Sequence, residues 1–287
     1  MKTGSPLAAS DRQVTDKILD HLAEAEQPLP SSLEFYQSIL TTQQKYSVPE
    51  LSNLATRMEP IAIQRLREGK PLLSFKDLQL NWQDVQLLFH EIAAITEDYL
   101  SPSEPEREEL PSFDSNLKLL QDTVKIWFAA GSRHRKSVAR SSEIEPLVSN
   151  ILQATMLPSL AAHAHALLPF VVQEQWYKRY CPVCGGEPDF AFLDKERGSR
   201  WLLCSRCNAH WIFVRLACPF CDNQDMNALA YFTDEASLYR LYVCEKCRRY
   251  IKAIDLRKTE ADVLLPLERI LTLDLDRQAH ESNYRAT

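Results

Sequence analysis

Four short segments of one spacing set the architecture of this 287-residue chain: Cys181-Pro-Val-Cys184, Cys204-Ser-Arg-Cys207, Cys218-Pro-Phe-Cys221 and Cys244-Glu-Lys-Cys247. They hold all eight cysteines of the sequence. Two residues between cysteines allow a tight turn that directs both sulfurs toward one ion, and two such turns supply the four thiolates of a tetrahedral site. The sequence therefore predicts two metal ions, each bound by four of the eight cysteines.

The redox state of the compartment decides between metal ions and disulfides. The first 30 residues lack the uninterrupted apolar segment of a secretory signal. The most apolar run, Leu160–Val172, is interrupted by His163, His165 and Pro169, and it is shorter than the roughly 18 residues that span a bilayer. We therefore expect a cytoplasmic protein without membrane insertion, where reducing conditions favour metal-bound thiolates. A disulfide framework and a single redox-active cysteine pair are the alternatives.

The spacing leaves three ways to combine the four pairs. Sequential pairing places 19 residues between the first two pairs and 22 between the last two, and either gap suits a β-hairpin. Apolar, aromatic-rich segments predict the strands of two such hairpins: Phe190–Leu193 with Arg200–Leu203, and Ala228–Phe232 with Ser237–Val243. We choose sequential pairing because it is simpler. A cross-braced arrangement, first pair with third and second with fourth, stays open.

The residue after each cysteine pair supports tight turns, here called knuckles. Gly185 follows the first pair, where a knuckle often needs the left-handed backbone that glycine adopts freely. Asn208 and Asp222 follow the next two pairs, and Asn and Asp tolerate that conformation best among the other residues. Arg248, after the fourth pair, departs from the pattern.

The first 180 residues predict a helical domain. Apolar residues recur at helical spacing from Asp11 onward, which indicates six or seven helices after a disordered segment 1–10. Among them we expect a helix opened by a capping box at Ser31–Glu34, and two final helices at Glu143–Ala154 and Leu160–Tyr180. The simplest interpretation is a scaffold whose apolar faces bury one another.

Five other residues raise weaker possibilities. His163 and His165 are two positions apart, so a helix directs them to different faces, and we interpret them as ordinary helix residues. His210 lies close to the second cysteine pair, and we expect it to support the metal site from outside the ligand set. Asp274 and Asp276 are also two apart, which favours a solvated helix end over a catalytic carboxylate pair.

The charge balance argues against a nucleic-acid partner. The net charge is −6, the isoelectric point is near 5.7, and the stretch from Cys181 to Asp255 holds ten basic and ten acidic residues. A cysteine-rich ribbon that binds DNA or RNA should be clearly basic. The short basic segment Arg133–Lys136 is interpreted as a solvated loop. Because four sulfurs leave no open coordination position, we also expect no enzyme activity.

Longer motifs surround the cysteine pairs: Trp201-Leu-Leu-Cys-Ser-Arg-Cys207, Trp211–Arg215 leading into the third pair, Cys244-Glu-Lys-Cys-Arg-Arg-Tyr-Ile-Lys252, and Ala261-Asp262 followed by Leu271-Thr-Leu-Asp274. With these motifs, the chain from about Tyr180 to its end resembles the accessory proteins of formate dehydrogenase, the FdhE family. All eight cysteines match the family pattern. The helical part is similar in length and helical character only.

The resemblance implies a function and a metal. It implies rubredoxin-like sites that favour iron, with zinc as the alternative, because both ions suit four thiolates. It also implies a maturation factor that binds the catalytic subunit of respiratory formate dehydrogenase in the cytoplasm before export. A rubredoxin-like electron-transfer protein is the alternative function, and a nucleic-acid-binding zinc ribbon is disfavoured by the charge.

The expected fold is α+β, an all-α multi-helix domain followed by a small β-rich region of two rubredoxin-like or zinc-ribbon-like units and a C-terminal helix. The expected boundaries are a disordered start at 1–10, the helical domain at 11–180, the two four-cysteine units at 181–215 and 216–258, and the closing helix with its tail at 259–287.

Overall fold

The computed structural model describes residues 11–46, 48, 51–100, 113, 116–131 and 144–286. Within these ranges the N-terminal part has six α-helices: α1 Asp11–Glu24, α2 Ser31–Gln44, α3 Ser52–Arg67, α4 Trp82–Leu100, α5 Leu117–Ala130 and α6 Pro146–Leu167. Short 3₁₀ turns at Phe75–Asp77, Leu168–Phe170 and Gln173–Gln175 join them to one another and to the sheet. The predicted disordered start and the basic segment Arg133–Lys136 lie outside the described residues.

Helix α6 is the centre of the helical part. Ten of its residues are buried, among them Ile151, Met156 and Leu160, and it contacts each of the other five helices. A helix that is apolar on all sides is expected at the middle of a bundle. None of the described helices has both the length and the apolar character needed to cross a membrane.

Two local predictions in this part are wrong. A single helix, α6, runs through Pro158 where two helices were expected, because packing against the five other helices offsets the roughly 3 kcal/mol that an interior proline costs. It ends at Leu167, and 3₁₀ turns replace the rest of the predicted last helix. Helix α2 does begin at Ser31, but Pro30 occupies the N-cap position and no side-chain cap forms, since proline has no side-chain acceptor.

The C-terminal part contains one six-stranded sheet and two short helices. The strands are β1 Pro188–Leu193, β2 Arg200–Cys204, β3 His210–Ile212, β4 Leu229–Thr233, β5 Tyr239–Cys244 and β6 Arg249–Asp255, followed by α7 Leu265–Leu271 and α8 Leu273–Glu281. The strand order is β3-β2-β1-β6-β5-β4. Neighbouring strands are antiparallel except at the β1–β6 junction, which is parallel. The predicted α+β class is confirmed, and the junction joins both four-cysteine units in one sheet.

The strands form an internal repeat in which β1-β2-β3 corresponds to β4-β5-β6. The two hairpins have matching registers, since Cys204 at the end of β2 and Cys244 at the end of β5 both lie in the second cysteine pair of their unit. In the same register Leu193 pairs with Arg200, and Thr233 pairs with Arg240. The repeat therefore makes Arg200 and Arg240 equivalent positions.

Candidate metal centres

The eight cysteine sulfurs lie in two groups of four. The first centre consists of Cys181, Cys184, Cys204 and Cys207, and the second centre consists of Cys218, Cys221, Cys244 and Cys247. Within each group all four sulfurs are within 4.8 Å of one another. This is the sequential grouping of the cysteine pairs, and the cross-braced arrangement does not form.

The sulfur spacing fits a tetrahedral ion. The shortest Sγ–Sγ distances are 3.7 Å for Cys181–Cys207, 3.4 Å for Cys184–Cys204, 3.7 Å for Cys218–Cys247 and 3.7 Å for Cys221–Cys244. Metal–sulfur bonds of about 2.3 Å place the sulfurs of a tetrahedron about 3.8 Å apart, whereas a disulfide requires about 2.05 Å. All eight cysteines are free of disulfides, so the arrangement suits two four-thiolate ions.

All four knuckles share one backbone geometry. The residue after each pair has a positive φ, 79° at Gly185, 56° at Asn208, 63° at Asp222 and 55° at Arg248. Its N–H donates to the carbonyl oxygen of the first cysteine of the pair, over 2.8–3.3 Å. Arg248 thus adopts the conformation that its sequence position did not predict. Its guanidinium bonds Glu245 and the Ser282 carbonyl and lies over the Tyr284 ring, contacts that offset the backbone strain.

Backbone N–H groups inside the knuckles point at the sulfurs. Val183 donates to Cys181 Sγ over 3.3 Å, and Gly186 donates to Cys184 Sγ over 3.4 Å. Arg206 and Phe220 make the same contact, each over 3.4 Å, with the first sulfur of the second and third pairs. Hydrogen bonds to sulfur favour the thiolate form that binds metal.

The first centre is enclosed by the helical domain. Its four cysteines are at most 1% exposed. The N–H groups of Leu72 and Leu73, between α3 and α4, donate to the carbonyl oxygens of Pro182 and Val183 over 2.9 and 2.8 Å. The first knuckle is therefore held by a two-residue backbone ladder to the helical domain.

Arg206, inside the second knuckle, reaches the end of α5. Its guanidinium donates to the carbonyl oxygens of Trp127 and Phe128 over 2.7 and 3.1 Å and lies 4.0 Å from the centre of the Trp127 ring. The C-terminus of a helix attracts positive charge, and the nearby Cys184, Cys204 and Cys207 thiols favour the charged guanidinium, opposing the burial that lowers the pKa of Arg206. The Arg206 guanidinium therefore binds the C-terminal end of α5 and also lies near the thiols of the first centre.

Helix α7 holds the first centre from the opposite side. Arg269 donates to the Cys204 carbonyl oxygen over 2.8 Å, to Asp189 Oδ1 over 3.0 Å and to Asn208 Oδ1 over 2.7 Å. Burial raises the pKa of Asp189, and the Arg269 charge opposes that rise. The closing helix is thereby attached to β1 and to the second knuckle.

The second centre is more open. Cys218 and Cys244 are each 2% exposed, whereas Cys221 and Cys247 are only half-buried. Arg249 packs against the third knuckle, lying 3.9 Å from the centre of the Phe220 ring and pairing with Glu187 over 2.9 Å.

Arg200 is a second buried cation beside this centre. It donates to the carbonyl oxygens of Val214 and Ala217. Burial lowers its pKa to about 10, and the Cys218 thiol acts in the opposite sense. A four-thiolate site with a divalent ion carries a net negative charge, which nearby arginines stabilise.

The pKa values of the cysteine thiols are shifted in different directions. Burial raises the pKa of the Cys181, Cys207 and Cys218 thiols, and hydrogen bonding to Cys181 lowers the pKa of Cys184. Metal binding must therefore release protons from the buried sulfurs.

The histidines lie outside both sulfur groups. His210 is buried in β3, with its ring centre 5.4 Å from that of Trp201 and 5.9 Å from that of Phe192, and burial lowers its pKa to about 4. His163 is a buried helix residue whose Nε2 accepts the Gln79 N–H over 3.1 Å. His165 is exposed on α6.

The two acidic residues in the first turn of α8, Asp274 and Asp276, differ in exposure and in contacts. Asp274 is exposed, as a solvated helix end requires. For Asp276 that prediction is wrong, since it accepts from Lys252 Nζ over 2.6 Å and from the Tyr250 hydroxyl over 2.7 Å. Lys252 is only 5% exposed, and a buried ammonium needs a charged partner. Sequence reasoning missed this pair together with Arg206 and Arg269, because their partners are far away in the chain.

Comparisons with known proteins agree with this architecture. A family model described as "FdhE, central domain" matches residues 180–215, which contain the first centre. An FdhE homolog from Aquifex aeolicus is 29% identical over 258 residues, covering 88% of this chain and 82% of that protein. An FdhE protein from Escherichia coli O1:K1 is 27% identical over 278 residues, covering 93% of this chain and 82% of that protein.

A solved structure shares the fold. The crystal structure of the FdhE protein from Pseudomonas aeruginosa aligns with 98% of this chain and 94% of its own, with a TM-score of 0.59 and 21% identity. The family match falls on the first centre, and the relatives and the shared fold extend along nearly the whole chain. The matching family model, the relatives and the shared fold all support the FdhE family for this chain.

Proposed function

We propose that this protein is a metal-binding accessory protein for the assembly of respiratory formate dehydrogenase. It binds the catalytic subunit of that enzyme in the cytoplasm before export. Similarity to FdhE proteins along most of the chain supports this role, as does the resemblance of its knuckle and tail motifs to formate dehydrogenase accessory proteins. The observation that carries it is the pair of closed four-sulfur groups in one sheet. Such groups stabilise a folded surface and leave no coordination position for a substrate.

The eight cysteines are the proposed ligands of two metal ions. Four thiolates at tetrahedral spacing suit iron and zinc equally, and the family resemblance favours iron. We assign no catalytic step to the chain, because neither ion would have an open position.

Electron transfer is a second candidate function. It is favoured by one observation, the half-buried state of Cys221 and Cys247 at the second centre. An iron ion there would lie close enough to solvent to exchange one electron with a docked partner. The first centre lacks such exposure.

The test begins with protein purified without oxygen. We expect about two metal ions per chain, and a reducible thiolate-to-iron absorption band if the metal is iron. Purified formate dehydrogenase catalytic subunit should then bind the metal-loaded protein in a titration. Absence of binding to that subunit would sink the accessory function, and a colourless protein with two zinc ions would sink the electron-transfer candidate.

A second measurement places the role in cells. A strain that lacks this gene should have low formate dehydrogenase activity, restored by the wild-type chain. A chain with Cys184→Ser and Cys204→Ser should fail to restore it, because metal binding there is coupled to folding. A chain with Lys195→Gln, a change on an exposed turn, is the matched control and should restore activity fully.

A further inference from the structure

The internal repeat relates the free edge of the sheet, on β4, to an edge that is paired, on β1. Strand β1 uses its outer edge to pair with β6, with Ala191 opposite Ala253 and Phe192 opposite Ile254. In the matching hairpin registers, Tyr231 and Phe232 of β4 are equivalent to Ala191 and Phe192. Strand β4 is last in the sheet order, and no described strand pairs with its outer edge.

The equivalent residues at the two edges differ strongly in solvent exposure. Ala191 and Phe192 are 0% and 1% exposed, whereas Tyr231 and Phe232 are 53% and 58% exposed. Two large aromatic side chains, one on each face of the strand, are thus more than half exposed at positions whose counterparts are core. The Tyr231 ring also lies 5.5 Å from the Tyr242 ring and 5.0 Å from the Arg240 guanidinium. Adjacent exposed aromatic residues of this kind mark interaction sites.

The backbone of β4 also offers free bonding groups. The Glu245 N–H donates to the Ala228 carbonyl oxygen over 2.9 Å, which makes Leu229–Cys244 a non-hydrogen-bonded pair of the antiparallel ladder. Hydrogen-bonded and non-hydrogen-bonded pairs alternate along such a ladder, so Tyr231–Tyr242 is again a non-hydrogen-bonded pair. The N–H and C=O of Tyr231 therefore point away from β5. The strand, Leu-Ala-Tyr-Phe-Thr, contains no charge and no proline, the features by which natural edge strands prevent pairing.

We propose that the outer edge of β4 binds an extended segment of the client protein, running parallel to β4 as β6 runs parallel to β1. This inference rests on the proposed function, in which the client is the formate dehydrogenase catalytic subunit. By analogy with β6, the segment places a branched apolar or aromatic residue beside Phe232, as Ile254 lies beside Phe192, and a small residue beside Tyr231.

A second copy of this chain fits the edge less well. In the parallel mode of β1–β6, the strand that it offers is β3, the counterpart of β6 in the repeat. Antiparallel pairing of two β4 edges about a two-fold axis is the competing arrangement, which the sedimentation measurement tests. Strand β3 has only three residues, and the Gln173 side chain covers its outer edge, accepting from Ile212 N–H over 3.3 Å and donating to the His210 carbonyl oxygen over 3.5 Å. A client segment is therefore the favoured occupant.

Two variants test the edge by different means. Tyr231→Pro removes the outward N–H without removing a β4–β5 hydrogen bond, which an edge strand tolerates. Phe232→Lys places a charge in the proposed interface. The matched control for Phe232→Lys is Ile63→Lys on α3, where the replaced residue is 53% exposed, against 58% for Phe232. Each protein is titrated against the purified catalytic subunit, and its metal content, melting temperature and sedimentation are measured.

We expect both edge variants to bind the catalytic subunit at least tenfold more weakly while retaining two metal ions, and the control to bind as the wild type does. The melting temperature should be unchanged in Phe232→Lys and lower in Tyr231→Pro, which also loses the ring contacts with Tyr242 and Arg240. In the wild-type complex, amide hydrogen exchange of residues 229–233 should slow, a readout that does not depend on any variant. If both variants keep the wild-type affinity and hydrogen exchange in this segment does not change, this inference is overturned while the proposed function stands. An effect confined to self-association would assign the edge to a second copy and overturn it too. A wild-type protein that does not bind the subunit overturns the proposed function along with it.

Discussion

At the scale of single residues, Arg206 connects a metal centre to a helix nearly 80 residues earlier in the chain. Its guanidinium satisfies the carbonyl oxygens of Trp127 and Phe128 at the end of α5. The adjacent Gly131 leaves the space, since a Cβ there would lie 2.0 Å from Arg206 Nη2. The knuckle, the helix end and the glycine form one unit.

Replacing Arg206 tests that unit. Arg206→Met should lower the free energy of unfolding by about 2–4 kcal/mol, because two buried carbonyl oxygens lose charged donors. Chemical denaturation of the metal-loaded protein measures the loss. Arg197→Met, a change at an exposed turn residue, is the control and should alter stability by less than about 0.5 kcal/mol. Equal stability of the two variants would show that Arg206 does not join the helix to the centre.

The positive φ of 63° at Asp222 predicts a dependence on side-chain shape. Asp222→Val should destabilise the second centre by about 1–2 kcal/mol, since a β-branched residue is strained in the left-handed region. Asp222→Gly should be tolerated, because the side chain is exposed and its pairing with Arg179, at 3.5 Å, is a surface contact. Metal affinity measured by competition with a chelator should rank glycine above valine, and the reverse order would contradict the shared knuckle geometry.

At the scale of elements, the two centres differ in access. A chelator or an alkylating reagent must reach a sulfur, and half-buried sulfurs occur in the second centre alone, at Cys221 and Cys247. We expect a chelator to remove one ion per chain quickly and the other slowly. Iodoacetamide should modify Cys221 and Cys247 before the other six cysteines, as followed by mass spectrometry. Simultaneous loss of both ions would show that the centres are equally accessible.

Paired substitutions separate the roles of the two units. Cys221→Ser with Cys247→Ser should leave one ion per chain and a folded helical domain. Cys184→Ser with Cys204→Ser should release the first ion and unfold the contacts at Leu72 and Leu73, because that centre lies inside the shared core. Native mass spectrometry and circular dichroism distinguish the two results.

The elements that could be predicted from the sequence are those whose partners are close in the chain. The knuckles and the two hairpins follow from local spacing, and the structure groups the cysteines sequentially. The β1–β6 junction could not be predicted, because parallel pairing between Ala191 and Ala253 is chosen by packing and leaves no local signal. The contacts of Arg269 and Lys252 could not be predicted either, because their partners are also distant in the chain. The break predicted between Ala154 and Leu160 was wrong because burial, which depends on residues distant in the chain, keeps α6 continuous.

At the scale of the whole molecule, buried neutral histidines make the protein acid-sensitive. The pKa of His210 is lowered to about 4, while an unfolded histidine titrates near 6.5. As the pH falls below about 6.5 the unfolded chain takes up a proton that the folded one does not, so stability is lost between roughly pH 6.5 and 4, by up to about 3 kcal/mol. Burial lowers the pKa of His163 too, which adds to the loss with the same sign.

The histidine contribution can be isolated. His210→Phe should reduce the dependence of unfolding free energy on pH between 6.5 and 4, leaving the part due to His163, because it removes one of the two buried histidines. His165→Gln replaces an exposed histidine and should leave the slope as in the wild type. If the two variants have the same slope, His210 is not the source of the acid sensitivity.

The parallel β1–β6 junction has a consequence for synthesis on the ribosome. The paired residues Ala191 and Ala253 are about 60 positions apart, and at about 5–20 residues per second their production is separated by roughly 3–12 seconds. During that interval β1, with its side chains Phe190 and Phe192, has no strand on its outer edge. A nascent chain that stalls before Arg249 therefore presents an apolar edge strand of the kind that aggregates or recruits a chaperone.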